Sequence, residues 1–291
     1  IELKKLIKTK SVSQVYLAIP SASQKVRHYL INKIKATGTE IRAIPSLDDL
    51  ASGKVTISEL KELNTSDLLN RESVKPNKEL LEKNISNKTV LVTGAGGSIG
   101  AELCRQIIKL SPYKLVLVEM NEYSLYSIHS ELEKQINNSL KNPNFKIIPL
   151  LANIQNEDRI KDIIQTLKPN TIFHAAAYKH VPLVERNLIE GIQNNIFGTF
   201  ITAKIASEEN VDNFVLISTD KAVRPTNVMG ATKRVAELCL KAFQNFEDKK
   251  NKTIFSIVRF GNVLDSSGSV IPKFKKQIKD GGPITLTHPK I

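Results

Sequence analysis

Two rhythms alternate along the chain from residue 88 onward: short, almost wholly apolar runs, and longer stretches whose apolar residues return every three or four positions. The short runs, at 88–93, 115–119, 146–150, 171–174, 214–217 and 254–259, lack the in–out alternation of a half-buried strand. They predict strands covered on both faces, the condition of a parallel sheet held between helices. The longer stretches, at 98–110, up to about 136, 157–167, 187–209 and 228–246, predict amphipathic helices. Their alternation at these lengths predicts an α/β fold with a Rossmann-type, doubly wound parallel sheet.

A shorter version of the pattern comes first. Residues 13–19 read as a strand, 22–36 as a helix with Val26, Tyr29, Leu30 and Ile34 on its apolar face, and 40–44 as a second strand. Strand, helix, strand is half of a parallel unit, so residues 1–75 are expected to be the C-terminal half of a Rossmann-like domain. Residues 46–74 are polar, with short helical pieces such as 57–63. The stretch 76–87, rich in Lys and Asn, is expected to link this domain to a second one at 88–291.

Composition narrows the class. Of 291 residues, 41% are hydrophobic, enough to bury a sizeable core. No apolar run reaches the ~18 residues of a membrane span, and the N-terminus lacks the apolar segment of a signal peptide, so this stretch is expected to be cytosolic. A net charge of +13 raises nucleic acid as a partner. The lysines are spread through both halves, however, and aromatic residues are only 5% with no Trp, so the stacking platforms of a nucleic-acid surface are missing. No nucleic-acid partner is expected. Basic surface of this kind suits nucleotide-sugar phosphates or anionic lipid equally well. Cys104 and Cys239 have neither CxxC nor Cys/His spacing, which points to free buried thiols rather than a disulfide or metal site.

The chemistry-bearing residues cluster where strands are predicted to end, the edge at which open α/β sheets bind ligands. The first strand of the second domain runs into Gly94-x-x-Gly97-x-x-Gly100, with a helix starting at Ser98 and Ile99. This spacing matches the short-chain dehydrogenase form of the dinucleotide fingerprint. Glycines are needed because the turn is tight, the backbone has to approach a pyrophosphate, and the helix N-terminus has to face it. Glu119 ends the next strand, where a carboxylate accepts from a ribose 2′-hydroxyl and repels a 2′-phosphate. The expected cofactor is therefore NAD rather than NADP.

Asn153 follows the third strand, where such domains place an Asp against the adenine. Beyond the fourth strand, Ala175 and Ala176 are small enough to let a cofactor lie on the backbone. His174 reads as a structural imidazole. Lys179 and Glu185 are placed to line a substrate pocket, and Asn195 on the following helix can orient a lysine or a water. The fifth strand stops in Ser218-Thr219-Asp220-Lys221, which puts a hydroxyl, a carboxylate and an amine at one strand end. Met229 and Lys233, at i and i+4, share one face of the next helix.

Four segments, TGAGGSIG (93–100), HAAAYKHVPLVE (174–185), STDKAVRPTNVMGATKR (218–234) and RFGNVLDSSGSVIPKF (259–274), closely resemble the CapD-like group of extended short-chain dehydrogenases. These are membrane-associated nucleotide-sugar 4,6-dehydratases of bacterial polysaccharide and glycoprotein biosynthesis. The resemblance covers residues 13–291. It implies NAD-dependent conversion of UDP-N-acetylglucosamine, or a related UDP-N-acetylhexosamine, to a 4-keto-6-deoxy sugar. A C4-epimerase on the same scaffold and a non-catalytic dinucleotide-binding sensor are the competing readings.

By this resemblance, Thr219 binds the sugar O4, Lys221 takes the C5 proton, a protonated Asp220 donates to the departing 6-hydroxyl, and Lys233 holds the nicotinamide ribose. Ordinary short-chain dehydrogenases carry Tyr-x-x-x-Lys where this chain has Met229 and Lys233. Met has no ionisable proton, so the proton chemistry shifts to the strand end. Arg259, Asn262 and Ser269 fall on the substrate side, while Asp265 and Lys273 depart from the family pattern. No metal is implied. A homo-oligomer is expected. The resemblance also implies an anchoring region before Ile1 at the bacterial inner membrane, and a substrate subdomain truncated at Ile291.

Overall fold

The structure is a computed structural model that describes residues 2–19, 22, 24–43, 61–62, 76–139, 145–245, 252–263 and 270–286. The chain divides into two units, Ile1–Pro76 and Asn77–Ile291. In the first, α1 (Glu2–Thr9) is followed by β1 (Gln14–Leu17), α2 (Gln24–Lys35) and β2 (Glu40–Ala43). The two strands pair in parallel, Gln14 opposite Glu40, as the strand-helix-strand pattern predicts. Ile7, Leu17, Ile31, Ile34 and Ile41 form the core.

Two local expectations fail in this unit. Val26 and Tyr29 of α2 are 48% and 57% exposed, because Ile31 and Ile34, three positions apart, take the buried stripe with Leu30 beside them. Residues 61–62, expected in a helical piece, form β3 (Lys61–Glu62), antiparallel to β2. The rest of 46–74 lies outside the described residues.

The second unit begins inside the stretch expected as a linker. Asn77 caps a helix, α3 (Lys78–Ile85), by accepting the Leu80 N–H, and Ile85 is buried in the core that follows. Six strands then form one parallel sheet: β4 (Thr89–Thr93), β5 (Lys114–Glu119), β6 (Lys146–Leu151), β7 (Thr171–His174), β8 (Asn213–Thr219) and β9 (Ile254–Phe260). Their order is β6-β5-β4-β7-β8-β9, every pair parallel. Counted within this unit it is the doubly wound order expected, reversing between β4 and β7.

Why the strands read as continuous apolar runs is clear from where their alternate residues go. Leu91, Val116 and Val118 enter one core, whereas Val90, Val92, Leu115 and Leu117 enter the other, on the opposite face of the sheet. The helices that follow α3 are α4 (Ser98–Ile108), α5 (Glu122–Ser139), α6 (Glu157–Leu167), α7 (Val181–Arg186), α8 (Leu188–Ile192), α9 (Gly198–Glu208), α10 (Val228–Asn245) and α11 (Val270–Lys279). The one helix expected at 187–209 is α8 and α9 joined through a π-helical turn, Gln193–Phe197. Such turns recur at functional sites, and this one buries both Asn194 and Asn195.

Cys104 is buried and Cys239 half-buried, both as free thiols. Among the described residues no helix is long and apolar enough to cross a membrane, and no group of His, Cys, Asp and Glu could hold a metal ion.

Candidate active site

The crevice above the reversal point is floored by the glycine turn. Gly94 adopts φ +63°, and a Cβ there would stand 2.7 Å from the backbone of Ala176. A Cβ on Gly100 would run into the Gly94 carbonyl oxygen. Gly97 caps α4 without a side-chain hydrogen bond, leaving an open helix N-terminus of the kind that holds phosphate. Glu119 braces the turn by accepting the N–H groups of Gly96 at 3.0 Å, Met120 at 2.9 Å and Asn121 at 3.0 Å. It also lines a hollow of about 360 Å³ with Gly94, Asn121, Ser124 and Ala152. Asn153 does not line that hollow. Its Oδ1 accepts the Gln155 N–H at 2.9 Å, so the expected adenine contact gives way to a local turn, and Ala152 and Ile154 form the wall instead.

His174 is fully buried and structural, as expected. Its Nδ1 lies 2.9 Å from Thr93 Oγ1 and its Nε2 3.0 Å from Thr199 Oγ1. Because the Thr199 hydroxyl donates to the Asn195 carbonyl at 2.8 Å, it has to accept from the ring, which fixes the proton on Nε2. Burial, with the charge of Lys233 adding to it, pulls the imidazole pKa down to about 3. A neutral relay thus ties the floor of the crevice to the helix behind it.

β8 runs on through Thr219, two residues past its expected end. Thr219 Oγ1 accepts the Lys221 N–H at 3.3 Å and donates to Asp220 Oδ1 at 3.0 Å. Lys221 Nζ lies 3.5 Å from Asp220 Oδ1 and 3.3 Å from Asn262 Oδ1. α10 can sit directly on this turn because Gly230 leaves room; a Cβ there would meet the Lys221 carbonyl. Gly97, Ser98, Ile99, Gly100, Thr219, Lys221, Met229 and Lys233 line one cavity of about 900 Å³, with Ala175, Lys179 and Asn262 on its walls. Ala176 lines the adjoining hollow.

Met229 and Lys233 are each 4% exposed, and among the described residues Lys233 Nζ has no hydrogen-bond partner. Burial lowers the Lys233 pKa to about 8, against the opposing pull of the Glu237 carboxylate. An orphaned ammonium beside a glycine turn is what a ligand rich in hydroxyl and phosphate oxygens would complete.

Residues 90–291 match the family described as polysaccharide biosynthesis protein. The chain belongs to this family. It is 47% identical over 291 residues to the capsular polysaccharide biosynthesis protein CapD of Staphylococcus aureus, covering 100% of this chain and 47% of that protein. The chain therefore spans about half the length of this curated relative. Among solved structures, Pen from Bacillus thuringiensis is similar with a TM-score of 0.62 at 34% identity, over 70% of this chain and 61% of that one. A double mutant of DesIV, the dTDP-glucose 4,6-dehydratase of Streptomyces venezuelae, shares the fold with a TM-score of 0.56 at 19% identity, over 68% of this chain and 64% of that one.

In this chain, several residues expected to meet substrate are engaged elsewhere. Arg259 turns its guanidinium onto the buried Glu237, with Nε 2.8 Å from Oε1 and Nη2 2.6 Å from Oε2. Glu185 caps α10, accepting the Val228 N–H at 2.7 Å. Asn195 lies beneath the crevice: its amide donates to the Tyr178 carbonyl and Thr232 Oγ1, both at 3.0 Å, and its oxygen accepts the Tyr178 N–H at 2.8 Å. It holds the 178 loop onto α10 rather than a ligand. Ser269 lies outside the described residues.

Asp220, expected as a protonated acid, is exposed and paired with Lys221. Desolvation works against its charge, but the Thr219 hydroxyl and the Lys221 ammonium hold its carboxyl below the ordinary range. The sequence reading also missed the network behind the site. Ser218 donates to Glu237 Oε1 at 2.7 Å and Arg234 to Oε2 at 3.0 Å. The available signal was a Glu one turn after Lys233, on the buried face of a helix.

Proposed function

We propose that this chain is the catalytic part of an NAD-dependent 4,6-dehydratase acting on a UDP-N-acetylhexosamine, with UDP-N-acetylglucosamine as the first candidate. One observation carries the reading. Thr219 and Lys221, both bound to the Asp220 carboxylate between them, share a single cavity with the proton-free Met229 and with Gly97 and Gly100 of the glycine turn. Membership of a polysaccharide biosynthesis family and likeness to CapD support it.

The residues fit a dinucleotide. The open N-terminus of α4 takes the pyrophosphate, the hollow beside Glu119 takes the adenosine, and Lys233 donates to the nicotinamide ribose. A carboxylate at the end of β5 favours NAD over NADP. Bound NAD supplies a hydride acceptor for sugar C4 and a hydride donor for C6.

The chain's own groups do the rest. Thr219 holds O4, whose proton leaves to solvent as C4 is oxidised. Oxidation at C4 makes the C5 proton acidic, and the neutral Lys221 amine takes it. Asp220 gives its proton to O6 as the C6–O bond breaks, releasing water. Lys221 returns its proton to C5 as C6 is reduced, and one proton from solvent restores the Asp220–Lys221 pair. The ion pair of the open site and the neutral pair this step needs hold the same number of protons, so one transfer from Lys221 to Asp220 interconverts them. Substrate that excludes water favours the neutral pair, because burial penalises both charges. Met229 cannot compete for either proton.

By the same resemblance, the whole protein is proposed to work as a homo-oligomer held at the bacterial inner membrane. The test is direct. The whole protein is incubated with NAD and UDP-N-acetylglucosamine, and the nucleotide sugar is analysed by mass spectrometry and NMR. Loss of one water is expected, abolished in Asp220→Asn and Lys221→Ala. An isomer of unchanged mass, inverted at C4, would show an epimerase instead.

A further inference from the structure

Glu237 is a fully buried carboxylate whose two oxygens accept four hydrogen bonds. Ser218 Oγ and Arg259 Nε bind Oε1, and Arg259 Nη2 and Arg234 Nη1 bind Oε2. Ser218 immediately precedes Thr219 at the end of β8. Lys233 stands one turn before Glu237 on the same buried face of α10. The carboxylate therefore grips the root of one half of the site and neighbours the charge of the other.

We propose that Glu237 is a positioning residue: it fixes the end of β8 through Ser218 and, as the anion beside Lys233, keeps that ammonium charged for the cofactor ribose. This rests on the reading of Lys233 as a cofactor-binding residue. A purely structural salt bridge is a weaker account, since replacing buried ion pairs by apolar side chains often leaves stability unchanged or raises it.

The titratable groups on elements packed against α10 are Glu185 and Arg186 on α7, Glu190 on α8, Lys204 and Glu208 on α9, Asp220 and Lys221 in the turn after β8, and Arg259 on β9. His174 reaches Lys233 from β7, and α10 itself adds Arg234, Cys239 and Lys241. Lys204 is paired with Glu157 and Glu208, Asp220 with Lys221, and Glu185 caps the helix. Burial, then the Lys233 charge, keeps His174 neutral. Glu190 lines the same cavity as Lys233 but is exposed to solvent, whereas Glu237, buried one turn along the same helix, is the anion that opposes the loss of the Lys233 proton.

The experiment titrates NADH binding against pH, by cofactor fluorescence, in the wild type, Glu237→Gln and Arg234→Gln, with a melting curve for each. The alkaline midpoint of binding is expected to fall by about one pH unit in Glu237→Gln, the size of shift a neighbouring charge produces. It is expected to rise in Arg234→Gln, which removes a competing cation from the same carboxylate. A structural role would lower melting temperatures and leave both midpoints at the wild-type value, which overturns the proposal. If Glu237→Gln does not fold, the Arg234→Gln midpoint decides. A wild type that binds no NADH overturns instead the reading of the cofactor site on which the proposal rests.

Discussion

At the end of β4 the crevice is walled by backbone, whereas at the end of β8 it is walled by side chains. The β4 wall works by what is missing: Gly94 and Gly100 have no Cβ to strike Ala176 or the turn's own carbonyl. The β8 wall works by groups with partners: Thr219 on Asp220, Asp220 on Lys221, Ser218 on Glu237. Backbone sites fail by steric exclusion, so a single methyl group removes binding. Side-chain sites fail by charge, so isosteric changes there are expected to alter stability and pH response while the shape of the crevice persists.

The largest expected effect tests the backbone wall. Gly100→Ala forces the turn open and is expected to abolish NADH binding in a fluorescence titration, with the sheet still folded by circular dichroism. Next comes the side-chain wall. Arg259→Ala leaves Glu237 buried with its bidentate partner gone, and is expected to lower the midpoint of a denaturant titration.

Acid reaches the same group with a smaller effect. Burial opposes the Glu237 charge, but the hydrogen bonds from Arg259, Ser218 and Arg234 prevail and bring its pKa down to about 2 from the ordinary 4.5. A carboxylate lowered on folding stabilises above its unfolded value and loses that contribution as pH falls through the folded one. About 3 kcal/mol is therefore expected to disappear between pH 4.5 and pH 2, and Glu237→Gln to flatten that limb of the stability curve. The smallest effect has the opposite sign. Lys233→Met removes an unpartnered buried ammonium and is expected to add about 2 kcal/mol of stability while weakening NADH binding.

The two walls also differ in how far they could be read from the sequence. Glycine spacing, the Glu119 strand end and the apolar strand runs are local signals, and sheet order, turn and crevice follow from them. Met229, Lys233 and the 219–221 cluster were legible because strand end and helix start are close in the chain. Arg259, Glu185 and Asn195 were not, because their partners, Glu237, the Val228 N–H and Tyr178, come from other elements. Sequence shows that a polar side chain is present, but packing decides whether it meets the ligand or another residue. The π-turn that buries Asn195 lies inside a run that reads as one continuous helix, because the segments on either side of it, 188–192 and 198–208, are both helical.

Proton transfer at the end of β8 is reported most directly by the C5 proton of the sugar. The whole protein, wild type and Lys221→Ala, is incubated with NAD and UDP-N-acetylglucosamine in deuterated water, and C5 and C6 of the nucleotide sugar are followed by NMR. The wild type is expected to take up deuterium at C5 and lose the C6 oxygen, and Lys221→Ala to do neither while still binding NADH. Wild-type exchange at C5 in Lys221→Ala would contradict the account.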